Sequence, residues 1–465
     1  MFFDKFEYYL QTIVIQLLNC LWRINRAMKD DRREGLLQLM FVFVAVFFLM
    51  IYSGFATTIH LRTQLSRHIT GLVLLLFIII FSQDREIHHV NWRKAISVPM
   101  IFTGIAILIV SFIHPVGSGC RVFAVMLIVF FPALALVWNN RGDYNRLFDC
   151  IAYAVSWVGI AYLVLCICLI LRGEINSLYD AELLRFKGTL SHSGNLSQVY
   201  TSVFCSGMYL FIQHFGRLKA VIYAAAVYGI GAGMLMLGQG RSCILACVAS
   251  LISSVIFFIK YVDKGDIKET AAKLTAAAVI SFVVAAGVSN IPVWFAPENT
   301  VSDLIPAGVE VVQVAEAADG LAESVEGRFS VEGQDLNSYS SGRIDLWLLV
   351  MRNLNMLGHD VEQQSIHDLT QNDWLIYAHN VFLEMSYRCG IPVGFLFLVL
   401  EYIACCMAVR YLFRNVRRET CLIFPIMFVI IYFTQSMLDC AGMPFILESG
   451  LYYYLCLIPM MDKRI

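Results

Sequence analysis

The chain is expected to be an all-α polytopic membrane protein, and three observations predict it. Apolar residues make up 59% of the 465, Gly not counted, and charged residues only 15%. A soluble domain carries about 45–50% apolar residues with Gly included and about 25% charged. Mean hydropathy is +0.69. Apolar runs of about twenty residues, the length a helix needs to cross a hydrocarbon core roughly 30 Å thick, recur along the whole chain. The 34 Lys and Arg and 35 Asp and Glu are too few to give so long a chain a water-facing surface. This composition excludes a nucleic-acid-binding protein, a soluble metabolic enzyme and a secreted disulfide scaffold.

Residues 1–35 form an N-terminal segment in which 8–22 is an interfacial helix. About fifteen apolar residues broken by Gln11 and Gln16 are short for a span, and Arg23, Arg26, Lys29, Arg32 and Arg33 follow. No cleavable signal peptide is expected, because Asp4, Lys5 and Glu7 interrupt the start. Residues 36–290 carry nine spans, near 36–56, 68–82, 95–113, 121–138, 149–171, 197–215, 218–238, 242–261 and 272–290. Residues 291–390 are one long loop between spans nine and ten. Residues 391–465 hold three more spans, near 391–413, 420–438 and 444–461, and a short tail.

Twelve spans put both termini on one side. With the termini cytoplasmic, cytoplasmic segments hold 23 Lys and Arg and outward segments 11. That bias makes the long loop external. The net charge of −1 is uninformative beside it. Most of the 14 Cys sit in apolar runs, as Cys166, Cys168, Cys243, Cys247, Cys405 and Cys406 do, where they act as small hydrophobes. Cys120 and Cys440 are expected near the outer face.

The loop has two halves. The first, PENTVSDLIPAGVEVVQVAEAADGLAESVEGRF, is acidic and rich in small residues, which fits disorder or short helices. In the second, Ile344, Leu346, Trp347, Leu348 and Leu349 give SGRIDLWLLVMRNLNMLG the pattern of an amphipathic helix at the membrane surface. Residues 378–390 form a short helix that Gly390 ends, with Pro392 beyond. No internal repeat is evident.

Charged groups in or at the edge of spans are functional candidates. Arg241 lies in an outward turn, GQGRSCIL, where Gly238 and Gly240 permit close approach of a ligand to the backbone. A guanidinium there suits a phosphate; the bland reading is an arginine that snorkels to the interface. Arg343 starts the loop helix, which Ser341 is placed to cap. Its bland reading is an exposed surface arginine, and Arg352 is a weaker candidate of the same kind. His379, with Asn380, lies where the loop re-enters the membrane, and an imidazole takes a proton from an alcohol near neutral pH. A lone histidine is more often structural.

Glu401 and Glu448, inside apolar stretches, are placed to pair across the bundle. Glu384 neighbours His379 on the short helix. Arg185, Lys187 and His192 lie in RFKGTLSHSGN, a segment to close over a ligand or stay solvated. No Walker A, GxGxxG, DxD-like pair or His/Cys cluster supports ATP hydrolysis or metal catalysis.

Three of these features occur in an order that resembles bacterial O-antigen ligases and O-antigen polymerases. They are the Arg241 turn, SGRIDLWLLVMRNLNMLGHD (341–360) and AHNVFLEMSYRCGIPVGFLFL (378–398). Gly240 replaces the family's usual Ser, Asn355-Met356 stands where Pro is common, and SHSGN replaces an Asn-Pro-Asn stretch. The resemblance implies a fold of the GT-C glycosyltransferase kind in the inner (cytoplasmic) membrane, with a periplasmic loop. It implies an inverting, metal-independent and cofactor-free glycosyltransferase. The donor would be an undecaprenyl-pyrophosphate-linked oligosaccharide and the acceptor a sugar hydroxyl.

On that basis His379 is the general base and Arg241 and Arg343 hold the donor pyrophosphate. Asn380, Arg352 and Arg185 are weaker substrate-binding candidates. Polymerisation of surface-polysaccharide repeat units is favoured, with a chain-length regulator as a possible partner. A ligase that transfers polymer to lipid A-core or a protein is the alternative. From another class, a flippase for the same lipid-linked glycans fits twelve spans, but it needs a midplane site, and the absence of repeats and the few charges in the inner half of the spans argue against one.

Overall fold

The computed structural model describes residues 2–53, 63–88, 92–180, 185–262, 265–295, 342–370, 377–415, 418–438 and 448–464. The acidic first half of the long loop, Ser341 and Cys440 lie outside them. Helix α1 (Phe2–Asn25) precedes α2 (Asp30–Tyr52), α3 (Gln64–Ser82) and α4 (Lys94–Ile113). The next span is one continuous rod of α5 (Ser118–Val125), a π-helical turn (Met126–Phe130) and α6 (Phe131–Arg141). Pro132 brings no N–H to its turn, and the ladder widens just before it. Then come α7 (Tyr144–Leu171), a small hairpin of β1 (Tyr179–Asp180) and β2 (Arg185–Phe186), and α8 (Ser193–Gln213), α9 (Leu218–Gly238), α10 (Arg241–Tyr261) and α11 (Ile267–Phe295). The second half of the loop supplies α12 (Arg343–Arg352), α13 (Ile366–Thr370) and α14 (Val381–Cys389). The chain closes with α15 (Ile391–Phe413), α16 (Ile423–Leu438) and α17 (Glu448–Met460).

The protein is an all-α polytopic membrane protein. Among the described residues ten helices are long and apolar enough to cross a membrane. Two of the twelve expected spans are not among them, for different reasons. α17 is described only from Glu448 onward. α8 is long enough but carries Ser193, Asn195, Ser197, Gln198, Thr201, Ser202 and Ser206. It lies at the centre of the bundle, packed on α7, α9 and α10. Two of its hydroxyls bond back to the preceding turn, Thr201 Oγ1 to the Ser197 carbonyl at 2.8 Å and Ser197 Oγ to the Ser193 carbonyl at 3.3 Å.

Small residues set the closest packing. A Cβ at Gly207 of α8 would lie 2.5 Å from the Tyr228 amide nitrogen, and one at Gly231 of α9 would lie 2.6 Å from that of Phe204. The two backbones therefore meet directly, as small residues allow in membranes. Outer faces are apolar: Phe112 of α4 is 88% exposed and Phe282 of α11 75%. Glu401 and Glu448 do not pair with each other. Tyr452 donates to Glu448 Oε1 at 2.9 Å, and Glu401 has Tyr453 beside it.

The two ends of the bundle differ chemically. At one, Glu34 accepts from Arg141 at 2.7 Å and Arg146 at 2.8 Å, while Tyr144 donates to Asp462 at 2.7 Å. The other end gathers the start of α8, the α9–α10 turn, the loop helices and the end of α16.

Candidate functional site

The Arg241 turn is built by backbone geometry. α9 ends at Gly238, Gln239 adopts a left-handed conformation (φ +51°), and Gly240 precedes Arg241, the first residue of α10. Ser197 of α8 presses into the turn and accepts from the Gly240 amide at 3.0 Å. A Cβ at Gly238 would lie 2.5 Å from Ser197 Oγ, and one at Gly240 2.6 Å from Ser197 Cβ. The glycines thus admit Ser197 to the backbone of the turn. Arg241 is half-buried beyond them. The SHSGN segment starts α8, with His192 Nδ1 accepting from the Gly194 amide at 2.9 Å.

Arg343 opens α12, and Gly342 (φ +75°) occupies the cap position expected of Ser341. Its guanidinium donates to the carbonyl of Leu438, the last residue of α16. A basic side chain on the last carbonyls of a helix satisfies both charge and hydrogen bonding. Leu346 and Val350 pack against Ile366, Ala378 and Tyr387 in a small core separate from the main one. The face expected at the membrane surface is thus turned toward the loop's own helices. Trp347 Nε1 donates to the Ala378 carbonyl at 2.9 Å, which joins α12 to the His379 segment.

His379 is held in a left-handed turn (φ +49°), a conformation that costs a non-glycine residue about 1–2 kcal/mol. Both flanks are tied down. Before it, the Ala378 amide donates to Glu384 Oε2 at 2.7 Å; after it, Asn380 Oδ1 caps α14 by accepting from the Leu383 amide at 3.1 Å. Asn380 Nδ2 also donates to the Met437 carbonyl at 3.3 Å. Glu384 pairs with Arg388 one turn on. Burial opposes the Arg388 charge, but the Glu384 carboxylate outweighs it and raises the guanidinium above its usual pKa.

The last turn of α16 is therefore the meeting point. Arg343 and Asn380 sit on its consecutive carbonyls at Leu438 and Met437. Gln435, one turn back, donates to Cys243 Sγ of α10 at 3.5 Å, two residues from Arg241. Three segments far apart in sequence thus converge on one helix end. Arg352 and Arg185 are not brought there. Arg352 is exposed at the far end of α12, nine residues or about 14 Å along the axis from Arg343. Arg185 pairs in register with Asp180 on the hairpin, which packs against α9.

Arg67, on the first turn of α3, is a site residue that sequence reasoning passed over. It is half-buried and within electrostatic reach of Tyr52 and of Tyr377, two residues before His379. Tyr52 ties this corner together: its hydroxyl accepts from the Glu448 amide at 3.0 Å and its carbonyl from the Ser191 amide at 2.7 Å. The available signal was a charge at the end of a short span.

Asn355 also has a definable task. Its side chain accepts from the amides of Leu357 at 2.9 Å and Gly358 at 2.5 Å, which closes the turn after α12. Among the described residues no three His, Cys, Asp or Glu side chains gather as metal ligands do. No known family model matches the chain, and no curated protein matches it.

Proposed function

We propose that the protein is a glycosyltransferase of the O-antigen polymerase and ligase kind, acting at the outer face of the cytoplasmic membrane with both termini inside. The observation that carries this reading is that Arg343 and the His379–Asn380 turn meet at the end of α16, with α10, whose first residue is Arg241, packed beside it. Two guanidiniums and one imidazole at the mouth of an apolar bundle suit an anionic headgroup whose tail stays in lipid.

The reaction is an inverting displacement. The acceptor hydroxyl oxygen attacks the anomeric carbon from the face opposite the leaving group. The bond from that carbon to the pyrophosphate oxygen breaks, and undecaprenyl pyrophosphate departs with the electron pair. His379 takes the hydroxyl proton as the new bond forms. Arg241 and Arg343 bind the charge that grows on the pyrophosphate. Arg343 has donors to spare, since a guanidinium carries five N–H groups and the Leu438 carbonyl occupies one direction. The preferred reaction is polymerisation, with a second lipid-linked repeat unit as acceptor.

The test is a glycan gel from a deletion strain restored with wild type, His379→Ala or Arg343→Ala. The deletion strain should leave single repeat units on their normal acceptor, which only wild type extends. Full-length polymer stranded on its lipid carrier would assign a ligase. Normal glycan in the deletion strain would remove the protein from this chemistry. Transfer by purified protein in liposomes without an ion gradient separates an enzyme from a flippase.

A further inference from the structure

We propose that the turn after α12 is a membrane anchor, in which Met356 and Leu357 insert among lipid acyl chains at the rim of the bundle. The partner it fits is the lipid surface itself. Met356 is 63% exposed and Leu357 53%, side by side in a tight loop. Two adjacent large apolar side chains gain from leaving water, and the nearest apolar medium is the bilayer.

Hydrogen bonds pin this turn at the level where two spans end. His114 Nε2 lies 2.7 Å from the Leu357 carbonyl, and His114 follows directly on α4. The amide of Ile391, the first residue of α15, donates to the Asn355 carbonyl at 3.0 Å. α4 and α15 run antiparallel, because at the opposite end Arg93, just before α4, donates to Met407 Sδ of α15 at 3.3 Å. α4 has 20 residues. At about 1.5 Å per residue it matches a hydrocarbon core about 30 Å thick, so its two ends fall at the two edges of that core. The turn 355–358 therefore sits at one edge. Gly358 and Gly390 bring it that close, since a side chain on either would strike the backbone of the other's segment.

The surface beside the turn already faces lipid. Phe112 and Ile113, the last residues of α4, are exposed, and so is Phe395 in the second turn of α15. Met356 and Leu357 extend that apolar face from the spans onto the loop. Arg121, exposed on α5, donates to the Ser111 carbonyl at 2.9 Å, the place of an arginine that reaches headgroup phosphates from the edge of the core. Beyond the turn the Val361 amide donates to the Pro115 carbonyl at 3.1 Å, and the exposed residues that follow are polar: Glu362, Gln363 and Gln364. Contact with lipid thus passes from α12, whose Leu346 and Val350 face the loop's own helices, to the turn that follows it. This holds on either face of the membrane.

The test is photolabelling of the wild-type chain in phosphatidylcholine vesicles that contain a phospholipid with a diazirine on its acyl chain. Labelled residues are mapped by mass spectrometry. Met356 and Leu357 should carry label, as Phe112 does, and residues 362–364 should carry none. The Met356→Gln/Leu357→Gln double variant removes no buried side chain, so it should unfold at the wild-type temperature in detergent. In vesicles it should lose label from the turn and keep it at Phe112. Wild-type label at Phe112 with none on the turn would overturn the proposal, as would equal labelling of 362–364 or label that persists on the turn in the double variant. The readout needs no transfer activity, so its failure leaves the proposed function standing, and failure of that function leaves the anchor.

Discussion

Replacing Glu384 with Gln isolates the device that holds the His379 turn. The substitution keeps an oxygen to accept from the Ala378 amide but removes the charge that faces Arg388. The two side chains are 8% and 13% exposed, so Arg388 is left as a buried, uncompensated cation. Breaking a buried pair from one side costs about 3–5 kcal/mol. At about 1.4 kcal/mol per tenfold, that is a local opening constant larger by roughly a hundredfold to a few thousandfold. Hydrogen–deuterium exchange of the peptide spanning 378–390 reads it directly, because the Ala378 amide is bonded only while the turn is closed. The double variant Glu384→Gln/Arg388→Met should recover most of the lost protection, since no charge is then stranded. Exchange in Glu384→Gln within threefold of wild type would refute the reasoning, as would a double variant that exchanges faster than the single one.

Gly358 and Gly390 have φ of +81° and +91°, and a Cβ on either would run into the backbone of the other's segment. Gly358→Ala should therefore lower expression and thermal stability more than Gly216→Ala, which meets open space. Arg67→Ala should raise the KM for the lipid-linked donor about 10–100-fold, the size of one charge-assisted hydrogen bond, with kcat little changed in a transfer assay. Asp462 is held below its usual carboxylate range: burial opposes its charge, but hydrogen bonds from Arg464 and Tyr144 prevail. A depressed carboxyl stabilises the fold above its unfolded pKa and loses that contribution as pH falls through the lower folded value. Wild type should thus unfold at a higher temperature than Asp462→Asn at pH 7, and the gap should close below about pH 3.8.

The spans were legible because lipid leaves one solution for a run of twenty apolar residues, a helix with its own backbone bonds. The centre of the bundle was less so. α8 reads as an ordinary span until its Ser and Thr positions are seen to be buried at the centre of the bundle. The Leu346/Val350 stripe was visible, but periodicity says that a face is apolar and not what covers it, and here Tyr387 and Ala378 do. Arg67 was missed because its importance comes from Tyr52 and Tyr377, which lie on separate segments. The glycines of the Arg241 turn were visible in the sequence, but the group they admit, Ser197, was not, because it is distant in sequence.

What no sequence pattern announces is the anchoring role of the α16 carbonyls. A helix end carries partial negative charge on its unsatisfied C=O groups, about half an elementary charge in all. Left bare, that end would repel any anion at the mouth of the bundle. Arg343 and Asn380 donate to two of those carbonyls, so they quench the repulsion and fix themselves at the same time. The arrangement explains why Asn380 must present both an acceptor, for the Leu383 amide, and a donor, for the Met437 carbonyl. Aspartate would keep the cap and set a carboxylate against the Met437 carbonyl. An amide side chain does both jobs without adding negative charge next to His379.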